Sequence, residues 1–480
     1  MRNIVFVPEK VDIGAITAFN PPEFPFKIDK FNKIMHSLCV IPAFNKQYQE
    51  FSYIPLNAQV LKQSVRDYKP YLSYLTENSI IECNESYEAG KVSKGYRYTP
   101  TYSSEVSPKF ITDFTLKKNI NDYWNSTYNK QDGFLFLKKW FVGLEFDFDK
   151  ATAFLQQIHD LERDYYISKV KTKKAIENRT IKATQRYNSR FIIASMLSQF
   201  TLLSQAQKKT NNPAHRDHNV KRYHTLLTTM KSELRNFITF QGEELVNIDI
   251  SNSQPYLING LLKPEFWNPN KDEEFNIQFF KSKSFYDVNN VNLTKYIMLH
   301  VPELSIDMTE LESFQQITSS GHFYQFLNEQ MLEDPKMEAI SYKELKKAVL
   351  AMLYSENVSH YGHVGKAKEV FSSSFPSIYK LLCKIKSKYK ECLPILLQRM
   401  ESHLIIDKIA TRINKEHPTV PIFTVHDSIS TTRSNVKLVK QIMKEEMEAT
   451  VGIAAQLKEE PWNCLEVDKS LEQLKKKYKV

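Results

Sequence analysis

Two aspartates carry the strongest chemical signal in this chain. Asp249 follows Leu245-Val246-Asn247-Ile248, and Asp427 follows Ile422-Phe423-Thr424-Val425 and His426. Each run is short and rich in aliphatic residues, so each predicts a buried strand that closes on its carboxylate. A strand end holds a side chain rigidly. Two rigid carboxylates offer the hard oxygen ligands that Mg²⁺ takes in near-octahedral geometry, the setting of metal-assisted phosphoryl transfer. One aspartate at a strand end is also an ordinary turn former. The recurrence of the pattern is what points to a shared metal site.

A third segment adds a cation. SYKELKKAVLAMLYSEN, residues 341 to 357, has the period of a helix, with Tyr342, Lys346, Val349, Leu350, Leu353 and Tyr354 on one face. That stripe reads either as an amphipathic core helix with a lysine at its margin, or as a helix whose Lys346 grips a triphosphate while Tyr354 lies near a base or sugar.

The order of these segments resembles motifs A, B and C of the family A DNA polymerases and the single-subunit phage-type RNA polymerases. In that superfamily the motif B lysine precedes a tyrosine by eight positions, as Lys346 precedes Tyr354 here. RYHTLLTTMKSELRNFI, from Arg222, is similar to the segment before motif A. QRMESHLIIDKIATRI, from Gln398, is similar to the helix that leads into motif C. The resemblance spans residues 190 to 470. It implies an α+β right-hand polymerase fold, with an antiparallel palm sheet and helical fingers and thumb. It implies that Asp249 and Asp427 hold two Mg²⁺ ions, with Mn²⁺ as a substitute, for addition of nucleoside triphosphates to a 3′-OH. Lys346 is then the catalytic cation, with Lys343 and Arg222 beside the phosphates. Gln254 and Tyr354 line the sugar and base pocket, and His426 either bonds the primer terminus or caps its strand.

Three departures from the family pattern stand out. Motif B usually has Arg four residues before its lysine, where this chain has Tyr342. Motif C reads His-Asp-Ser, with Ser428, as in the RNA enzymes rather than the His-Asp-Glu of the DNA enzymes. The position five after the motif A aspartate is usually Glu in the DNA enzymes and Gly in the RNA enzymes, and here it is Gln254. A bulky residue there opposes a ribose 2′-OH, so motif A leans towards DNA synthesis and motif C towards RNA.

The rest of the chain supplies context. Its 480 residues suffice for two to four domains, and 42% hydrophobic with 25% charged residues is ordinary for a globular protein. A net charge of +10 suits a polyanionic partner, and equally a genome rich in Lys and Asn codons. Five cysteines (39, 83, 383, 392, 464) lack metal-ligand spacing and read as reduced thiols. Arg2, Glu9 and Lys10 interrupt the N-terminus, and no apolar run reaches about 18 residues, so neither secretion nor membrane insertion is expected. The expected setting is the cytoplasm of a bacterial or phage-infected cell.

Six segments are expected. Residues 1–45 read as Pro-rich and irregular. Residues 46–110 read as helix, helix and hairpin, a winged-helix-like plan: Leu56 to Val65, Tyr68 to Asn78, Ile80 to Cys83, then Tyr96 to Tyr98. Lys62, Arg66, Lys69, Lys91, Lys94 and Arg97 punctuate the parts that would face a duplex, where phosphate contacts give affinity more than sequence choice. Residues 111–215 read as a helical thumb. Its basic run includes Lys171, Lys173 and Lys174, either a solvated helix face or a grip on a phosphate backbone. EFDFD, 145 to 149, reads as a helix N-terminus rather than part of a proofreading exonuclease. Residues 216–260 are assigned to a palm with motif A, 261–375 to fingers with motif B, and 376–480 to a palm with motif C, an amphipathic helix from Val436 to Thr450 and a basic C-terminal tail.

The function these expectations favour is a DNA polymerase without proofreading, in replication of a phage, plasmid or mobile element, with DNA and nucleoside triphosphates as partners. Two alternatives stay open. One is a single-subunit RNA polymerase or primase, working on DNA or RNA. The other is a replication initiator that binds DNA on a polymerase-like fold without catalysis.

Overall fold

The computed structural model describes residues 4–50, 52–86, 88, 93–128, 134–208, 214–267, 276–277, 306–333, 340–358, 362–387 and 389–478. Lys91 lies outside them, as does most of the stretch from 268 to 305. The chain forms two compact units. The first holds Met1–His215, Thr225–Glu244 and Trp462–Val480, and the second Arg216–His224 and Leu245–Pro461.

In the first unit, residues 4–45 form a strand and two helices rather than an irregular segment. Strand Ile4–Pro8 pairs antiparallel with Val106–Phe110, and helices Ile13–Phe19 and Ile28–Phe44 follow it. The second helix buries Phe31, Ile34, Met35 and Leu38 at helical spacing. Its prolines mislead a sequence reading. Those in NPPEFPF precede the helix, and Pro42 sits in its last turn. Asp29 pins the helix start, its Oδ2 accepting from the Thr112 N–H at 2.7 Å and the Asp113 N–H at 2.6 Å.

Further along the first unit come strand Ile54–Pro55, helices Ala58–Ser64 and Tyr68–Glu77, and strands Ile81–Cys83 and Gly95–Tyr98. The three strands form one sheet with Gly95–Tyr98 in the middle. Tyr71 and Leu75 on the second helix are fully buried. The long helices Phe148–Ser168 and Lys173–Gln207 pack against each other, and Asp147 caps the first by accepting from the Lys150 N–H at 3.1 Å. The expected basic tail is a helix, Cys464–Tyr478, packed on Phe148–Ser168. Tyr478 donates to buried Glu162 at 3.2 Å, and Arg190 reaches the same carboxylate at 3.0 Å. This bond ties down a segment whose Lys-rich sequence reads as a basic tail.

The second unit is built on the Leu245–Asp249 part of strand Glu243–Ile250, with strands Ser428–Thr432 and Phe423–Val425. They pair antiparallel in the register Asp249↔Ser428, Asn247↔Ser430 and Val425↔Ser428. Leu457–Trp462 adds a further strand. Helix Val436–Val451 follows as expected and buries Val439, Met443 and Met447. The remaining helices are Ser253–Leu261, Met308–Ser319, Phe323–Glu333, Tyr342–Tyr354, Gly362–Ser374, Pro376–Lys386 and Cys392–Ser402. The last continues through a π-helical stretch, His403–Ala410, into Thr411–Glu416.

Helix Tyr342–Tyr354 begins at a capping box formed by Ser341 and Glu344. Its packed face is Leu345, Ala348, Val349, Met352 and Leu353, one step round from the stripe expected from sequence. Tyr342 and Lys346 are therefore exposed rather than at a core margin. Lys386, nearly buried, donates to the carbonyls of Met352 at 2.8 Å and Ser355 at 3.1 Å. A cation at a helix C-terminus satisfies orphan carbonyls and complements the dipole. That bond fixes the turn carrying Tyr354. Among the described residues, no helix is long and apolar enough to cross a membrane.

Phe371 sits in an aromatic cluster, with ring centroids 5.5 Å from Phe375, 6.1 Å from Tyr379 and 6.2 Å from both Phe314 and Phe323. Phe371→Ala is expected to destabilise the protein by about 3–5 kcal/mol through the cavity it leaves. The shift in urea midpoint measures this, and a loss below about 1 kcal/mol would mean the cluster collapses around the gap.

Candidate functional site

The two aspartates meet because of strand register. Asp249 is the penultimate residue of its strand and pairs with Ser428. Asp427 immediately precedes Ser428, in the two-residue turn between Phe423–Val425 and Ser428–Thr432. The turn is tight. His426 has φ +55°, a left-handed conformation that L-residues rarely adopt, while φ at Asp427 is not positive. A positive φ at the first central position alone is the pattern of a type II′ turn, which normally uses Gly there. His426 is exposed and Asp427 half-buried.

Polar groups fix this register. Buried Asn247 accepts at Oδ1 from the hydroxyls of Ser428 and Ser430, each at 2.8 Å. Ser428, the residue that departs from the DNA-polymerase pattern, thus has its hydroxyl engaged by Asn247 and by the Val425 carbonyl at 2.8 Å. The chain then bends through Asn252 (φ +55°) into helix Ser253–Leu261. The Ser253 hydroxyl donates to Oδ2 of Asp427 at 2.5 Å and orients that carboxylate.

The electrostatics follow. Burial, the charge of Asp427 and the charge of Glu460 push the Asp249 carboxyl well above the usual range, against the pull of Lys346 and Lys458. Lys346, on its helix, is thus one of two cations whose charge favours the ionised form of Asp249. Glu460, on Leu457–Trp462, is a third carboxylate of the neighbourhood that sequence reading missed. Among the described residues, no group of three or more His, Cys, Asp or Glu is placed to hold a metal ion. The centre is a two-carboxylate one. Its donors fit a divalent cation: the register sets two hard-oxygen groups near each other, and burial with like charge makes one resist ionisation.

A second network lies beside the pair. Glu401, on Cys392–Ser402, is 2% exposed, yet two side chains donate to it. Arg222 reaches Oε1 through Nε at 2.8 Å and Nη2 at 2.6 Å, and Gln254 Nε2 donates to Oε2 at 2.7 Å. The other end of Gln254 is also engaged: Tyr354 donates its hydroxyl to Oε1 at 3.2 Å, and Gln398 donates to Tyr354 at 3.4 Å. Burial and the charge of Asp427 push Glu401 up to about 7, against Arg222. Arg222, expected beside phosphates, thus has its guanidinium on a carboxylate. Its segment is held to the same long helix: Arg216 pairs with both oxygens of Asp407, at 2.9 and 2.8 Å, and Ser402 donates to the Lys221 carbonyl.

The structure brings together Asp249, Asp427, Lys346, Gln254, Tyr354 and Arg222, with His426 at the turn. Lys343 is exposed on the same helix as Lys346. The expected nucleic-acid residues belong to the first unit. Lys62, Arg66 and Lys69 are exposed. Two of the wing cations are internally paired: Lys94 with Glu85, and Arg97 with Glu82 at 2.5 Å, its guanidinium 4.3 Å above the Tyr53 ring. Lys171, Lys173 and Lys174 are exposed at the start of helix Lys173–Gln207, where cations oppose the dipole at a cost of about 0.3–1 kcal/mol each.

Sequence reading missed Glu401, although a signal was present. Leu393, Leu397, Met400 and Leu404 mark the buried side of that helix, and Glu401 falls among them. A charged residue on a core face demands a partner.

No family model and no curated protein matches this chain. Among solved structures, it is similar to the POL domain of Pol1 from M. smegmatis in complex with DNA primer-template and dNTP. Identity is 12% over 72% of this chain and 73% of that one, with a TM-score of 0.29.

Both raised carboxyls give stability a definite pH dependence. A carboxyl whose folded pKa is raised contributes stability that is full below its unfolded pKa and is lost as pH rises through the folded value. In chelator, stability is expected to fall between about pH 5 and pH 8, and Asp249→Asn to flatten part of that fall. Mg²⁺ at the alkaline end should restore stability in the parent protein and not in the variant. Thermal unfolding across pH provides the measurement, and parallel curves for the two proteins would refute the assignment to Asp249.

Proposed function

We propose that this chain is a template-directed nucleotidyltransferase that adds nucleoside triphosphates to a 3′-OH, with deoxynucleotides preferred. The supporting observation is the register Asp249↔Ser428, which sets two carboxylates from distant parts of the sequence side by side, with the Lys346 charge acting on one of them. Asp249 and Asp427 would hold the divalent cations, which supply a lowered pKa for the attacking hydroxyl and charge relief on the leaving pyrophosphate.

The chain's own residues do the positioning. Ser253 fixes one carboxylate oxygen of Asp427 and leaves the other to bind. Lys346, exposed on a helix anchored at both ends, offers an ammonium to the outer phosphates, with Lys343 behind it. Gln254 and Tyr354, bonded to each other, form the wall against the sugar. Phosphoryl transfer asks little covalent chemistry of the protein, so a preorganised arrangement of this kind suffices.

The first unit is read as the nucleic-acid grip. The succession helix Ile28–Phe44, strand, helix, helix, strand, strand supports a winged-helix plan. With Lys94 and Arg97 held by glutamates, we assign phosphate contact to Lys62, Arg66 and Lys69, with Lys171, Lys173 and Lys174 as a second basic patch.

Asp249→Asn and Asp427→Asn are each expected to abolish extension of a labelled primer by at least about 10³-fold while leaving the unfolding transition cooperative. Near-parental extension by either variant would sink the assignment. Replacing Lys62, Arg66 and Lys69 together by Ala should weaken duplex binding and make the slope of log K against log salt shallower by about 2–3. An unchanged slope in a salt titration would show that this face meets something other than nucleic acid.

A further inference from the structure

We propose that Glu401 is a specificity-determining positioning residue: it forms a matched pair with Gln254 that fixes the wall facing the nucleotide sugar. This rests on the polymerase reading above and deepens it.

The argument starts from donors and acceptors. Glu401 is 2% exposed and Gln254 7% exposed, so neither can turn to water for a partner. Two N–H groups donate to Glu401, one from Arg222 and one from Gln254, and the Arg222 Nη2 lies 2.6 Å from the same carboxylate. Only a carboxylate accepts from both and balances the guanidinium without presenting a hydrogen of its own. Because Gln254 must donate to it, its amide orientation is set: nitrogen to Glu401, oxygen to Tyr354. Tyr354 in turn accepts from Gln398. The bonds run towards Glu401 from both sides, from Arg222 on one and from Gln398 through Tyr354 and Gln254 on the other, and Gln254 is pinned at both ends.

Residue 254 is therefore chosen by residue 401. A carboxylate at position 254 would set two buried carboxylates in contact, where like charges cannot both ionise. An amide supplies the missing hydrogen. Conversely, an amide at position 401 would turn an NH₂ towards either Arg222 or the Gln254 amide, each of which is already a donor. The two side chains work only as one amide and one carboxylate. Reversing them retains every bond: the amide now at position 401 would accept from Arg222 and donate to the carboxylate now at position 254, which would still accept from Tyr354. A sugar hydroxyl pressing on Gln254 therefore meets a wall held by a partner on another helix, and the rigidity of that wall depends on Glu401.

The test is a four-member cycle: the parent, Gln254→Glu, Glu401→Gln, and the double variant. The ratio of kcat/KM for dNTP over rNTP is measured on one primer-template, together with the thermal unfolding midpoint. Each single change is expected to lower the dNTP preference by at least about tenfold. The double variant should return the ratio to within about threefold of the parent and raise the midpoint above both singles. If Gln254→Glu does not fold, Glu401→Gln against the double variant still decides, since adding Gln254→Glu must then improve both readings. Additive losses in the double variant, or a ratio unmoved across all four, overturn the pairing. A parent that extends no primer would instead overturn the polymerase reading and the sugar-wall role with it.

Discussion

The candidate site depends on one strand pairing, that of Leu245–Asp249 with Ser428–Thr432. Side chains alternate between faces along a strand, so a slip of one residue would carry Asp249 to the opposite face and away from Asp427. Buried Asn247 opposes such a slip, because its single oxygen is matched to two serine hydroxyls that occur at alternate positions on the partner. A slipped register would leave those groups buried without partners, at about 1–3 kcal/mol each. The left-handed His426 is a cost on the other side of the ledger, of order 1–3 kcal/mol for a non-glycine residue. Strain of this kind persists only where surrounding structure over-determines it, and the flanking strands do so here.

Much of the fold was legible in the sequence because it is local. The strand runs before Asp249 and Asp427 and the helix from Val436 announce themselves by period, and so do helices Ala58–Ser64 and Tyr68–Glu77 with the hairpin that follows. What the sequence hides is mostly non-local. Glu401 finds Arg222 and Gln254 from far along the chain, and nothing at positions 222 or 254 signals a buried carboxylate. The helix Tyr342–Tyr354 was recognised, but its packed face was misread by one step, since Tyr342 and Leu350 make a plausible alternative to Leu345 and Met352. The terminal helix reads as a basic tail because its last turn is Lys-rich, a composition that suits a helix C-terminus equally well. Prolines near residues 20 to 26 masked the strong periodicity of Ile28–Phe44.

Charge is distributed unevenly over the basic residues. Lys94 and Arg97, which look like exposed cations in the sequence, are committed to Glu85 and Glu82. Surface pairs of this kind add little stability, but they remove two cations from any long-range field. Lysines at the start of the Lys173–Gln207 helix work against the helix that carries them. Such a placement makes sense where attraction to an anionic partner outweighs a modest structural penalty.

The separation of the paired strands also has a consequence for biosynthesis. A ribosome releases the chain from its N-terminus, at about 5–20 residues per second. Helices Ser253–Leu261 to Cys392–Ser402 can begin to form as they emerge, since their backbone hydrogen bonds close within each segment. The carboxylate pair cannot. Leu245–Asp249 must wait with an unpaired edge until Thr432 has left the exit tunnel. A nascent or prematurely terminated chain therefore lacks the paired carboxylates altogether, and the exposed edge makes the interval before Thr432 emerges the point at which misfolding is most favoured.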